Sequence, residues 1–105
     1  MSTVNRVILV GNLTRDAVAA PGLDRTVINV ATTYSWRNAN GWRQEETEVH
    51  EVTAAGKLGE ICAVHCLAGK RVYIEGRLRR GEIVAETVRV LQPRPDTDAE
   101  EEVAP

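Results

Sequence analysis

Phenylalanine is absent, and the aromatic complement of this 105-residue chain stops at Tyr34, Trp36, Trp42 and Tyr73. Any role that needs a ring falls to one of those four. Cysteine occurs twice, as Cys62 and Cys66, and two thiols four residues apart do not make the disulfide framework of a small secreted domain. No apolar run approaches the roughly 20 residues that span a bilayer. Nothing at the N-terminus resembles a signal peptide, so a cytoplasmic protein without membrane contact is expected. Repeats and low-complexity tracts are missing from the body. Excess basic charge is missing too: the net charge is -2, whereas a nucleic-acid binder normally carries a basic footprint. The acidity is local, however. Residues 1–92 hold 12 Lys/Arg and 10 Asp/Glu, a net of +2, and residues 93–105 hold one Arg and five acids, a net of -4. A weakly basic body therefore carries an acidic tail, and the length fits one domain with a single core.

The residues that are present alternate as strands do. From Asn5 to Asp16 an apolar, β-branched run is interrupted by Gly11. Its continuity implies burial on much of both faces. A glycine inside such a strand marks a bend or bulge, so one strand can serve two sheets. Ala17–Arg25 contains Pro21-Gly22 and reads as a loop. Thr26–Trp36 reads as a second strand, with Ile28, Val30, Thr32, Tyr34 and Trp36 on one face. Asn40-Gly41 signals a hairpin into a third strand, Glu45–Ala55, which carries Glu45, Glu46, Glu48 and Glu51. Leu58, Ile61, Cys62 and His65 then take helical spacing, with Gly69 placed to end the helix. Arg71–Arg79 alternates again, Arg80-Gly81 turns the chain, and Glu82–Leu91 is the last strand. The acidic stretch from residue 93 is too polar to bury anything and reads as a disordered tail. The order strand-strand-strand-helix-strand-strand predicts an all-β domain with one small helix over residues 1–92. It is the order of the five-stranded OB-fold barrel.

Three stretches resemble the bacterial single-stranded DNA-binding proteins, the SSB family. They are Asn5-x-Val7-x-Leu9-x-Gly11-Asn12-Leu13-x-x-Asp16, then Ala31–Arg37 with Thr47-Glu48-Val49-His50, and Gly56-Lys57-Leu58 with Val72–Arg79. They occur in family order and cover most of residues 4–91. The resemblance implies sequence-indifferent binding of single-stranded DNA in replication, recombination or repair, at the nucleoid, by a homodimer or homotetramer without cofactor. Bases would stack on aromatic rings, at about 1–3 kcal/mol each, while cations track phosphates. It assigns stacking to Trp36, with Arg37 beside it, and a phosphate contact to Lys57. Trp42, Arg43, Arg6, Arg77 and Arg79 complete the candidate DNA-binding set. Val7, Ile8, Leu9, Val10, His50 and Tyr73 form the candidate subunit interface.

The chain also departs from the family. Val49 and Ala55 stand where many members have aromatics, and a long basic hairpin is reduced to Arg80-Gly81. The tail ends Glu102-Val103-Ala104-Pro105, without the aromatic through which the family recruits replication or repair proteins. These departures favour an alternative: an interaction protein resembling the primosomal replication protein N, with weak DNA binding. Cys62, His65, Cys66 and His50 lack the spacing of a zinc site, and the carboxylates of Glu45–Glu51 have no nucleophile beside them. Neither a metal nor an enzyme is expected.

Overall fold

The computed structural model describes residues 2–20, 22–93 and 98–103. Its elements are β1 (Val7–Leu13), β2 (Val18–Ala19), β3 (Arg25–Arg37), β4 (Arg43–Ala55), α1 (Gly56–His65), β5 (Arg71–Arg79), β6 (Glu82–Pro93) and β7 (Asp98–Val103). Five of the strands close a ring. β1 pairs β5, β5 pairs β6, β6 pairs β4, β4 pairs β3, and β3 returns to β1. That closure, with the helix between the third and fourth barrel strands, is the OB barrel. All contacts are antiparallel except β4 with β6, which meet in parallel at Val52↔Ile83 and Thr53↔Val84.

Two glycines let the ring close. β1 lies along β5 from Val7 to Asn12 but meets β3 at Asn12↔Ala31 and Leu13↔Val30. The handover occurs at Gly11, where a Cβ would overlap the carbonyl oxygen of Ala31. Gly76 sits at the register shift between β5 and β6, and a Cβ there would overlap the Val84 carbonyl. Each removes a side chain where two backbones must touch. The interior is filled mainly by β-branched residues: Ile28, Val30, Val52, Val72, Ile74, Val88 and Val90 are fully buried. Removing such a side chain from water stabilises by about 1.5–3 kcal/mol.

Helix α1 closes one end of the barrel with Leu58, Gly59 and Cys62. The Thr26 hydroxyl donates to the Gly59 carbonyl (2.7 Å), and the Gly56 N–H donates to the Asp24 carbonyl (3.0 Å). Cys62 and Cys66 are both free and buried. A thiol hydrogen bond to Cys66, reinforced by burial, holds the Cys62 thiol protonated far above the ordinary cysteine range. They act as small core residues.

Several sequence expectations need adjusting. The loop before β3 contains the two-residue strand β2, paired to β3 through Val18↔Val27 and Ala19↔Thr26. The helix ends at His65 rather than reaching Gly69. Gly69 (φ +86°) instead turns the chain so that its N–H donates to Leu13 O (2.9 Å). β1 is not buried on both faces: Ile8, Val10 and Asn12 point out, and Leu13 points in. The polarity of the tail from residue 93 predicts disorder, whereas Asp98–Val103 lies antiparallel to β6 from Val88↔Val103 to Pro93↔Asp98. The far edge of β6 offers unpaired backbone groups that an extended segment of any composition can satisfy. The rest of that tail falls outside the described residues.

Candidate nucleic-acid interface

β3 and β4 pair over 13 residues, from Arg25↔Ala55 to Arg37↔Arg43. Only the inner half belongs to the barrel. Ile28, Val30 and Val52 are buried, whereas nearly every residue from Thr33 to Thr47 is exposed. The outer half is a two-stranded arm projecting roughly 20 Å from the body, at about 3.3 Å per residue. Its tip is fixed locally. The Asn38 side-chain oxygen accepts from the N–H groups of Asn40 and Trp42 (3.0 Å each), and Gly41 takes φ +81°. Midway, the Thr33 and Thr47 hydroxyls share a hydrogen bond (2.9 Å), and nearer the barrel Thr32 bonds His50 Nε2 (2.8 Å).

Register decides which side chains share a face. Directly opposed residues point the same way, so Trp36, Gln44, Tyr34, Glu46, Thr32 and Glu48 continue the core-facing side of the sheet. Arg37, Arg43, Ser35, Glu45, Thr33 and Thr47 lie on the other side. Tyr34 and Trp36 stack, with centroids 5.5 Å apart and planes 21° from parallel. Neither is withdrawn into the core: they are 69% and 38% exposed. At the arm, Ser35, Trp36, Arg37 and Arg43 line a cavity of about 220 Å³. Arg43 is steadied by Glu45 (3.2 Å) and by the Ser35 hydroxyl (3.3 Å); Arg37 donates to Gly41 O (2.9 Å). An indole with two guanidiniums can hold a base on its face and a phosphate at its edge.

A second cationic concavity lies on the barrel. Leu23, Asp24 and Arg25 before β3, Thr53 and Ala55 of β4, and Arg79, Arg80, Glu82 and Val84 of the β5–β6 hairpin enclose about 430 Å³. In an OB barrel, the second and third barrel strands with their flanking loops form the oligonucleotide surface, and this groove occupies that place. The sequence reading included Arg79 but missed Arg25 and Arg80. Arg80 (φ +52°) and Gly81 (φ +80°) make the two-residue turn, in which both central residues need positive φ. Knowing the fold, their positions flanking β3 and at the hairpin would have found both.

The remaining candidates are dispersed. Lys57 is exposed on the first turn of α1, Trp42 is exposed at the arm tip and Arg6 is exposed ahead of β1; none lines either cationic cavity. Arg77 pairs with Glu86 (3.8 Å). On the β1–β5 face, Ile8 and Val10 are 52% and 40% exposed, and Val10 stands opposite Tyr73. The Tyr73 hydroxyl donates to Glu75 (3.0 Å), and that bond raises the phenol's pKa above its ordinary value. Leu9 faces inward and packs on the core, and Val7 is half-buried. His50 lies near the departure of β4 from β6, apart from this face.

The model of the single-strand binding protein family matches residues 4–93. The chain belongs to that family. Relatives include the single-stranded DNA-binding protein of Xanthomonas axonopodis pv. citri, 43% identical over 79 residues, covering 72% of this chain and 44% of the relative. That of Xylella fastidiosa is 38% identical over 109 residues, covering 89% and 66%. This family member thus spans about half to two thirds of the length of the curated relatives it matches. The fold agrees with a Plasmodium falciparum SSB solved with single-stranded DNA (TM-score 0.63, 18% identity, covering 99% of this chain and 87% of that one). It agrees equally with the Thermus aquaticus single-stranded DNA-binding protein (TM-score 0.65, 21% identity, covering 90% and 63%). Among the described residues of this SSB-family chain, no group of three or more His, Cys, Asp or Glu is placed to hold a metal ion. No described helix is long and apolar enough to cross a membrane.

Proposed function

We propose that this chain binds single-stranded DNA without reading base order, as a non-catalytic accessory to replication, recombination or repair in the cytoplasm at the nucleoid. The observation that carries the reading is the shared cavity of Trp36, Arg37 and Arg43 on an OB-fold arm. Residues 1–92 are the binding unit, with the acidic residues 93–105 outside it. Oligo-dT titrated against tryptophan fluorescence at several salt concentrations tests this. Quenching that saturates, and weakens with salt, is expected. Absence of binding at low salt would shift the reading to the primosome-type interaction protein, which the two-residue β5–β6 turn favours.

Few phosphates are neutralised on so small a basic surface. Log affinity against log salt should therefore be shallow, with a slope of about -0.7 per phosphate contact on a single strand. Replacing Arg37 and Arg43 together by alanine should flatten it by about one contact or two. A slope unchanged in that variant would place the phosphates elsewhere, with the Arg25, Arg79 and Arg80 groove next to be tested.

The binding form is an oligomer of this chain. Among the described residues, β1 pairs on one edge with β5 from Val7 to Asn12, and on the other only Asn12 and Leu13 reach β3. An apolar strand with an open edge invites a second copy across a two-fold axis. Because Ile8 points out of its own barrel, Ile8→Lys should give a folded monomer. Sedimentation at micromolar concentration with unchanged circular dichroism is the expected result. A wild-type monomer under those conditions would refute the oligomer.

A further inference from the structure

Asn29 is a buried polar residue on the outer side of β3. Ile28 and Val30 point into the core, so Asn29 lies on the other side, in line with Arg25 and Arg37 at even spacing. It is nevertheless only 9% exposed, and Arg15 lies against it. With its amide turned as the neighbouring donors require, the Asn29 oxygen accepts from Arg15 Nε (2.9 Å) and Nη2 (3.2 Å). Arg15 itself is exposed. The turn that carries it is pinned on both sides. The Thr14 N–H donates to the Asn29 carbonyl (3.1 Å), and the Asp16 carboxylate accepts from the Ala68 N–H (2.8 Å).

An exposed arginine normally loses rotamer freedom when it grips a ligand; here folding has already fixed the side chain. Its partner is a neutral amide, so the charge is not offset there, unlike that of Arg43 beside Glu45 or Arg77 beside Glu86. The Nε–Nη2 edge is taken, and the end-on fork of Nη1 and Nη2 faces away from Asn29, in the geometry that suits a phosphate. Position supports the same reading. At about 3.3 Å per residue, Asn29 stands roughly 13 Å from Arg25 and roughly 26 Å from Arg37 along β3. Those two arginines belong to the barrel groove and the arm cavity, and Arg15 lines neither. Between them the same side of the ladder carries Glu45 and Glu51, and Glu51 is the register partner of Asn29. Arg15 is the cation that the fold sets beside Glu51.

We infer that Arg15 is a phosphate contact for the bound strand, between the barrel groove and the arm cavity, with Asn29 as its positioning residue. This rests on the single-strand binding proposed above. It joins the two cationic sites into one path along the outer side of β3 and β4.

Anisotropy of labelled oligo-dT with the full chain, from about 50 mM to about 1 M salt, tests it. In Arg15→Gln, losing one contact should flatten the salt slope by about 0.7, which weakens binding roughly eightfold at about 50 mM salt and hardly at all near 1 M. Arg15→Lys retains the charge and should retain the slope. Asn29→Ala leaves the charge but frees the side chain, so affinity should fall about threefold with the slope unchanged. Placed in the Arg15→Gln background, the same substitution should cost nothing more. Circular dichroism should be unchanged in each variant. An Arg15→Gln protein with wild-type slope and affinity overturns the inference. So does a loss equal at every salt concentration, which marks disturbed structure, or a slope that flattens as much in Arg15→Lys. An Asn29→Ala cost that persists without Arg15 overturns the positioning role. Wild-type protein that fails to bind oligo-dT overturns single-strand binding itself, and this inference with it.

Discussion

Gly11→Ala should lower the stability of the domain by about 3 kcal/mol, the upper end of ordinary overpacking costs. Its melting temperature should drop by roughly 12–24 °C for a domain of this size. The added methyl would overlap the Ala31 carbonyl oxygen, and that oxygen belongs to the β3 backbone that β1 must meet at Asn12 and Leu13. Neither strand can retreat without opening the ring. Gly81→Ala is the comparison. Nothing lies within 4 Å of a Cβ there, but φ is +80°, so only the left-handed backbone cost of about 1–2 kcal/mol applies. Urea titrations at one protein concentration, with self-association held equal, distinguish the two. Equal losses at both sites would mean that β1 can shift away from β3, and that closure at Gly11 is looser than it looks.

Trp36→Ala should weaken binding of single-stranded DNA by about 1–3 kcal/mol, the range for one lost base stack, or roughly five- to more than a hundredfold in Kd. The salt slope should stay where it was, since a stacked ring releases no counterions. The fold should survive, because Trp36 lies on the arm and outside the core. Anisotropy of a labelled oligonucleotide avoids relying on the tryptophan that has been removed. Undiminished affinity in a folded Trp36→Ala protein would move the strand off the arm and onto the groove of Arg25, Arg79 and Arg80.

The barrel was legible in the sequence because its signals are local. β-Branched alternation from Thr26 to Trp36, the change to helical spacing at Leu58, and Gly11 within an apolar run each follow from one segment's own chemistry. The faces of β3 were equally readable, since Ile28 and Trp36 differ by an even number of residues. What escaped depends on segments distant in the chain. Val18–Ala19 is too short to show a period and becomes a strand only because β3 lies beside it. Asp98–Val103 has no apolar pattern and is extended along an edge it did not create. Arg25 and Arg80 are 55 residues apart in sequence and meet only when the barrel closes. β1 misled in another way: its run of apolar residues implies burial on both faces, but a single copy of the barrel covers one.

The projecting arm has a consequence for how this surface can change over time. Its side chains from Thr33 to Thr47 carry almost none of the packing that holds the barrel together, so substitutions there are largely released from the constraint that selects against destabilising changes. Aromatic rings, carboxylates and arginines can be exchanged along it while Ile28, Val52 and Val90 keep the barrel folded. A lineage can therefore revise what the arm grips, through neutral steps, without first acquiring a more stable core.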